Sequence, residues 1–145
     1  MTFIFDIDGT LFDASHRLPF IEGPKKDWDA FFAAAKDDAP IFETITIARS
    51  LYKAGHVLIA VTGRPERIRE LTVEQFQKFR VPMNVLLMRG DKDFRPDYVL
   101  KEEHLDKIIL PNYGKVDGVF EDRKQVVDMF RRRGIRVYQV EEGEF

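Results

Sequence analysis

Asp6 and Asp8 stand one residue apart at the end of the apolar run Thr2 to Ile7, and Gly9 and Thr10 follow them. Side chains of a strand alternate faces, so both carboxylates are expected on one side and Ile7 on the other. Two carboxylates that close repel each other and resist losing water. A fold tolerates them when a cation, usually a metal, sits between them, or when chemistry needs both. Charged and hydroxyl groups recur further on: "TGRP" at Thr62 to Pro65, then Lys101, then "EDR" at Glu121 to Arg123. The chemistry that needs this set is aspartate-based phosphoryl transfer. One carboxylate attacks phosphorus and forms an aspartyl-phosphate, dividing a hard hydrolysis into two easier steps. A second protonates the leaving oxygen and later activates water. Anion attacking anion needs cations, which a lysine and Mg²⁺ supply, and Mg²⁺ takes hard oxygen ligands such as aspartates. A threonine hydroxyl and the free N–H groups of a helix opening behind Pro65 suit phosphate oxygens.

The elements that must position these residues are legible as alternating patterns. Thr2 to Ile7, His56 to Val61, Asn84 to Met88, Val116 to Phe120 and Ile135 to Val140 are short apolar runs, read as fully buried parallel strands. Helical patterns span Pro40 to Ala54, Pro65 to Arg80, Asp97 to Leu110 and Arg123 to Arg133, with Gly55 and Gly134 closing the first and last. Strands alternating with helices predict an α/β fold: a three-layer, Rossmann-like parallel sheet of about five strands built from right-handed βαβ units. Phe12 to Ala39 shows no strand pattern and one helix, from Asp27, and is expected to be a small helical insert after the first strand. Asp6, Asp8, Thr62 to Pro65 and Glu121 to Arg123 then fall at carboxyl ends of strands, where open α/β sheets bind ligands, and Lys101 sits early in the helix before the fourth strand.

The chain has 145 residues, 44% hydrophobic and 33% charged, which predicts one globular domain. The net charge of −2 decides nothing about nucleic acid. The absence of cysteine excludes disulfides, a thiol nucleophile and cysteine-ligated metal, and fits a cytoplasmic location. No signal or membrane segment is expected from the short N-terminal apolar run.

Each candidate also has a plainer explanation. Asp6 and Asp8 could be turn residues before Gly9. Thr62 could cap a helix. Lys101 could form an ordinary surface pair with Asp97, yet Asp97, Lys101, Leu105 and Ile108 share one helix face, which turns Lys101 inward. Glu121 and Asp122 could serve a helix dipole. Arg131 to Arg133 read as a solvated helix end. Trp28, Phe31, Phe32 and Ala35 form a stripe better suited to packing than to base stacking. His16, His56 and His104 lack metal-ligand spacing.

Taken in order, "DIDGT", "VTGR", Lys101 and "FEDR" resemble the four motifs of the haloacid-dehalogenase superfamily of phosphohydrolases. Across nearly the whole chain the sequence is similar to the 3′-phosphatase domain of phage-type polynucleotide kinase–phosphatase, including Met88 to Leu105, Glu121 to Val140 and the closing "GEF". The resemblance implies that Asp6 is the nucleophile and a Mg²⁺ ligand. It makes Asp8 the general acid–base, which also gives the metal a backbone carbonyl, and Asp122 the residue that completes the metal site. Thr62, Gly63 and Lys101 would hold the phosphoryl group. Arg17, Arg64 and Asp97 match functional, substrate-side positions. Thr62 replaces a serine of the phage enzyme and Glu121 an aspartate. The implied substrate is a phosphorylated nucleic-acid 3′ end or a nucleotide. No G-x-x-x-x-G-K-[ST] loop occurs, so no kinase domain is expected in this chain.

Other classes meet obstacles. A phospho-acceptor signalling module carries its aspartate at the third strand, where Met88 to Gly90 offer no carboxylate. A silent binding domain would not need every motif position filled. A haloacid dehalogenase lacks the second aspartate. A phosphomutase and a small-molecule phosphatase, such as a 5′-nucleotidase or sugar phosphatase, share the same motifs.

Overall fold

The computed structural model describes residues 1–144, so Phe145 of the closing "GEF" lies outside the described residues. In chain order the elements begin with β1 (Thr2–Phe5), β2 (Phe12–Asp13), α1 (Trp28–Ala33), β3 (Ala39–Pro40), α2 (Phe42–Lys53), β4 (Val57–Pro65) and α3 (Arg69–Phe79). They continue with β5 (Val85–Arg89), α4 (Asp97–His104), α5 (Leu110–Tyr113), β6 (Gly118–Arg123), α6 (Lys124–Arg132) and β7 (Val137–Gly143). Five strands form one parallel sheet in the order β5-β4-β1-β6-β7. No helix among the described residues is long and apolar enough to cross a membrane.

The alternation of β1 divides the core into two layers. Phe3 and Phe5 pack with Ile45 and Ala48 of α2 and Phe76 of α3 on one face. Ile4 packs with Leu105, Ile109, Val126 and Phe130 on the other. Phe5 and Phe130 are almost wholly buried, and removing such a ring from water contributes about 1.5–3 kcal/mol. Helices on both faces of a parallel sheet make the expected three-layer α/β fold.

Four details depart from the sequence reading. β5 and β7 are edge strands, not fully buried ones: of β5 only Met88 is buried, of β7 only Gly143, and Tyr138 is exposed, because an outermost strand has one neighbour and an apolar run does not reveal that position. The insert is closed at its base by an antiparallel β2–β3 pair, Phe12 against Pro40 and Asp13 against Ala39, too short to leave a pattern. The helix after β4 starts at Arg69, preceded by a 3₁₀ turn at Glu66–Ile68. The helix after β5 widens to a π turn at Leu105–Ile109 before α5. Pro111 follows, with no N–H for the carbonyl four residues back.

Candidate active site

The motif residues meet at the carboxyl end of the sheet. Asp6 follows β1 directly, and its N–H donates to the Phe120 carbonyl at 3.0 Å, which pins it beside β6. Lys101 reaches in from α4, as its helix face predicted, and is 2% exposed. Its Nζ donates to Asp6 Oδ1 at 2.7 Å and Glu121 Oε2 at 2.9 Å. Glu121 Oε1 accepts the N–H groups of Asp122 and Arg123, each at 3.1 Å, across an irregularity in the pairing of β6 with β7. Thr10 Oγ1 lies 3.3 Å from Asp6 Oδ2 and 3.4 Å from Asp122 Oδ1. Gly9 makes room for this arrangement: its φ is +81°, and a Cβ there would stand 2.2 Å from Asp122 Oδ2.

Asp6, Glu121 and Asp122 bring carboxylate oxygens within 4.8 Å of one another, all buried. Three carboxylates face one ammonium, so the fully ionised cluster carries a net charge of −2. Burial, then Glu121, pushes Asp6 up to about 7 against the pull of Lys101. Burial, then Asp6, does the same to Asp122, also to about 7. Burial raises Glu121 as well. Burial alone would lower Lys101, but Asp6, Glu121 and Asp97 outweigh it and keep the ammonium charged. A pocket of hard oxygens with this excess charge fits a divalent cation such as Mg²⁺.

Asp8 has different partners. β1 ends at Phe5, so strand alternation does not govern Asp8, which sits in the following turn. Its Oδ1 accepts from Arg17 Nη2 at 2.7 Å and Arg64 Nη2 at 2.8 Å. Of the two explanations for the pair, a cation between the two side chains is not what the geometry shows: the Asp8 carboxylate faces two guanidiniums, and the buried acidic cluster is Asp6, Glu121 and Asp122. Arg17 and Arg64 are fully buried. Arg64 Nη1 also donates to Thr72 Oγ1 at 3.1 Å and Gln75 Oε1 at 2.8 Å, and Arg17 Nη1 to the Phe31 carbonyl at 3.2 Å. Burial favours a protonated Asp8, but Arg64 and then Arg17 prevail and hold the carboxyl below its ordinary range. The Asp8 side chain remains 28% exposed, open towards solvent.

Thr62 and Gly63 lie inside β4, where its pairing with β5 shifts register between Val61 and Pro65. Thr62 Oγ1 accepts the Arg64 N–H at 3.1 Å. The free helix N–H groups expected behind Pro65 are not all available: the Arg67 N–H donates to Asp91 Oδ1 at 2.8 Å. Asp97 opens α4 against Gly63, where an added Cβ would stand 2.5 Å from Asp97 Oδ1. Arg89 and Arg123 donate to the two oxygens of Asp97, and Arg89 Nε donates to the Gly63 carbonyl at 3.0 Å. Asp97 therefore bonds to these arginines and not to Lys101.

Sequence reasoning missed Asp38, a buried carboxylate between Arg17 and Arg64, and passed over His16, which bonds to it at 2.7 Å. Asp38 lies in the unpatterned insert, so only its charge beside the apolar turn into Ala39 marked it. Two further arginines are paired with carboxylates: Arg67 with Asp29 and Asp91, Arg95 with Asp93 and Glu103. The aromatic stripe is a contact cluster, with Phe31 under the Arg17 guanidinium at 4.6 Å, Phe32 beneath Arg67, and Trp28 partly exposed.

With this geometry in place, the comparisons are specific. The family profile of the polynucleotide kinase PNKP phosphatase domain matches residues 1–145. The chain belongs to that family. A chain of the Pnkp1/Rnl/Hen1 complex is similar to this PNKP-type phosphatase at 30% identity and a TM-score of 0.87, over 99% of this chain and 47% of that one. The chain thus spans about half the length of that relative. The class C acid phosphatase from Bacillus anthracis with tungstate bound shares the fold at 11% identity and a TM-score of 0.70, over 99% and 67% of the two chains. The L-2-haloacid dehalogenase from Xanthobacter autotrophicus does so at 14% identity and a TM-score of 0.62, over 96% and 76%. The PNKP-type chain is a phosphoric monoester hydrolase of the haloacid-dehalogenase fold.

Proposed function

We propose that this phosphatase domain removes 3′-phosphates from polynucleotide ends or nucleotides, through a phosphoryl group carried on Asp6. The observation that carries the reading is the Lys101 bridge between Asp6 and Glu121 beside Asp122. It holds Asp6 Oδ1, while Oδ2 lies 3.3 Å from Thr10 Oγ1 on the side of Asp122. Asp6 and Asp122, with the Asp8 backbone carbonyl that the resemblance implies, would hold Mg²⁺, which would neutralise charge on the phosphoryl oxygens and keep both aspartates ionised. Thr62, Gly63 and Lys101 hold the phosphoryl group. Asp97, through Arg89, sets the backbone of Gly63.

Asp8 protonates the leaving 3′ oxygen and then takes a proton from the water that releases phosphate. At rest its two arginines favour the carboxylate, so the proton is taken up as the charged substrate enters and competes for those cations. Arg17 and Arg64 therefore act on the substrate side through Asp8 as well as through any phosphate that reaches them.

The substrate assignment draws support from the family and from the RNA repair complex in which a similar chain is found. The insert of 12–39 packs against Arg64 and leaves Asp8 open, which admits a polymer end. Lys25, Lys26 and Lys92 are exposed and available to a polymer backbone, so contacts of this kind are few and salt dependence is shallow. The test compares kcat/KM for a 3′-phosphorylated oligonucleotide and a 5′-mononucleotide at two salt concentrations. A preference for the oligonucleotide that weakens with salt is expected. Equal or better hydrolysis of 5′-mononucleotides or sugar phosphates, without salt dependence, reassigns the site to small metabolites.

A further inference from the structure

Asp38 accepts hydrogen bonds at both oxygens although its side chain has no exposure. Oδ1 receives Arg17 Nε at 2.9 Å and the His16 ring nitrogen at 2.7 Å. Oδ2 receives Arg17 Nη2 at 2.8 Å and Arg64 Nη2 at 3.2 Å. The same two Nη2 atoms contact Asp8 Oδ1. Two guanidiniums are therefore clamped between two carboxylates, one facing the reaction and one facing the protein.

The charges explain why both carboxylates are required. Two buried cations against Asp8 alone would leave one unit uncompensated, which is costly in a buried site. With Asp38 the four groups sum to zero. A planar guanidinium held at two edges cannot pivot, so its remaining donors point in one direction. We infer that Asp38 is a positioning residue for proton transfer by Asp8: it anchors Arg17 and Arg64 from behind and so fixes where the Asp8 carboxyl meets the leaving oxygen. The insert thereby contributes to chemistry through its last turn, since Asp38 ends the 3₁₀ segment Ala34–Asp37 and leads into β3. His16, with a 42% exposed side chain, closes the outer side of the clamp.

The inference rests on Asp8 being the general acid, and the experiment separates the two claims. A residue that serves leaving-group protonation matters for a sugar 3′ oxygen, a poor leaving group, and little for p-nitrophenolate, which departs without a proton. The measurement is the first-turnover release rate from a 3′-phosphorylated oligonucleotide and from p-nitrophenyl phosphate, for the parent, Asp8→Asn and Asp38→Asn. Asp38→Asn keeps the shape and removes the charge. It should slow the oligonucleotide step about 10–100-fold and the p-nitrophenyl step less than about 3-fold, a part of the 10²–10⁴-fold that general acids supply. The ratio of the two rates in one preparation does not depend on the folded fraction. Should Asp38→Asn give no soluble protein, His16→Ala is the second variant, with a ratio change of about 2–5-fold in the same direction. Equal loss on both substrates, or no loss on either, overturns the positioning role. If Asp8→Asn itself shows no dependence on the leaving group, it is the acid–base reading that fails.

Discussion

Lys101 is a buried cation held by Asp6 and Glu121, and removing it leaves three buried carboxylates with no ammonium. Lys101→Met should lower kcat about 10²–10³-fold, as loss of one charge-stabilising donor does. It should also lower the metal-free melting temperature at pH 8, because breaking a buried pair strands its partners. A variant within 3-fold of the parent in kcat, measured at saturating substrate, would remove Lys101 from the site. Arg64 makes a different demand, since its guanidinium serves Asp8, Asp38, Thr72 and Gln75 at once. Lysine keeps the charge and loses that geometry, so Arg64→Lys should still cost at least about 10-fold in kcat/KM. An unchanged kcat/KM would show that charge alone suffices there. Asp6 and Asp122 stood out in the sequence because charges at the ends of apolar strands have few structural uses, and Lys101 because it shares a helix face with Leu105 and Ile108. Asp38 was not, because its partners Arg17 and Arg64 lie 21 and 26 residues away and only the folded insert brings them together.

At the scale of elements, the site depends on close backbone approach where β4 meets α4. Gly63 has no Cβ because Asp97 Oδ1 occupies that space, and Asp97 in turn ties Arg89 to Arg123. Gly63→Ala should push Asp97 off these arginines and lower kcat/KM about 10-fold or more, with the fold retained by circular dichroism. An alanine variant of parental activity would mean that the Gly63–Asp97 contact has no bearing on phosphoryl binding. The elements themselves were readable as strands alternating with helices, and all five sheet strands fall where apolar runs occur. What escaped has physical causes. β2 and β3 are two residues each, below the length at which alternation is visible. β4 and β6 run on into "TGRP" and "EDR" because register shifts let polar residues stay in the strand. The edge positions of β5 and β7 depend on strand order, which periodicity does not encode.

At the scale of the molecule, the acidic cluster couples stability to pH and metal. Asp6 and Asp122 sit near 7 in the folded chain, above their ordinary value of 3.8, so between these values the folded chain binds more protons than the unfolded one. Metal-free stability therefore falls as pH rises from about 4 to about 7 and levels off above that. Asp8 and Asp97 are shifted downward and act with the opposite sign, but only below about 4. Mg²⁺ competes with those protons, so it should raise the melting temperature more at pH 8 than at pH 5. A metal-free melting temperature that climbs from pH 5 to pH 8, or an equal Mg²⁺ shift at both, would contradict the cluster's assigned charge. The proposed attack by Asp6 is a claim about the same cluster, and one experiment reaches it directly. Asp8→Asn is mixed with p-nitrophenyl [³²P]phosphate and Mg²⁺, quenched in acid within one turnover, and its peptides are mapped. The good leaving group lets the first step proceed while the missing base slows the second. The expected result is label approaching one phosphate per chain on the peptide that carries Asp6, released by hydroxylamine. Nitrophenol set free with no protein-bound phosphate, or label on any other residue, contradicts nucleophilic attack by Asp6.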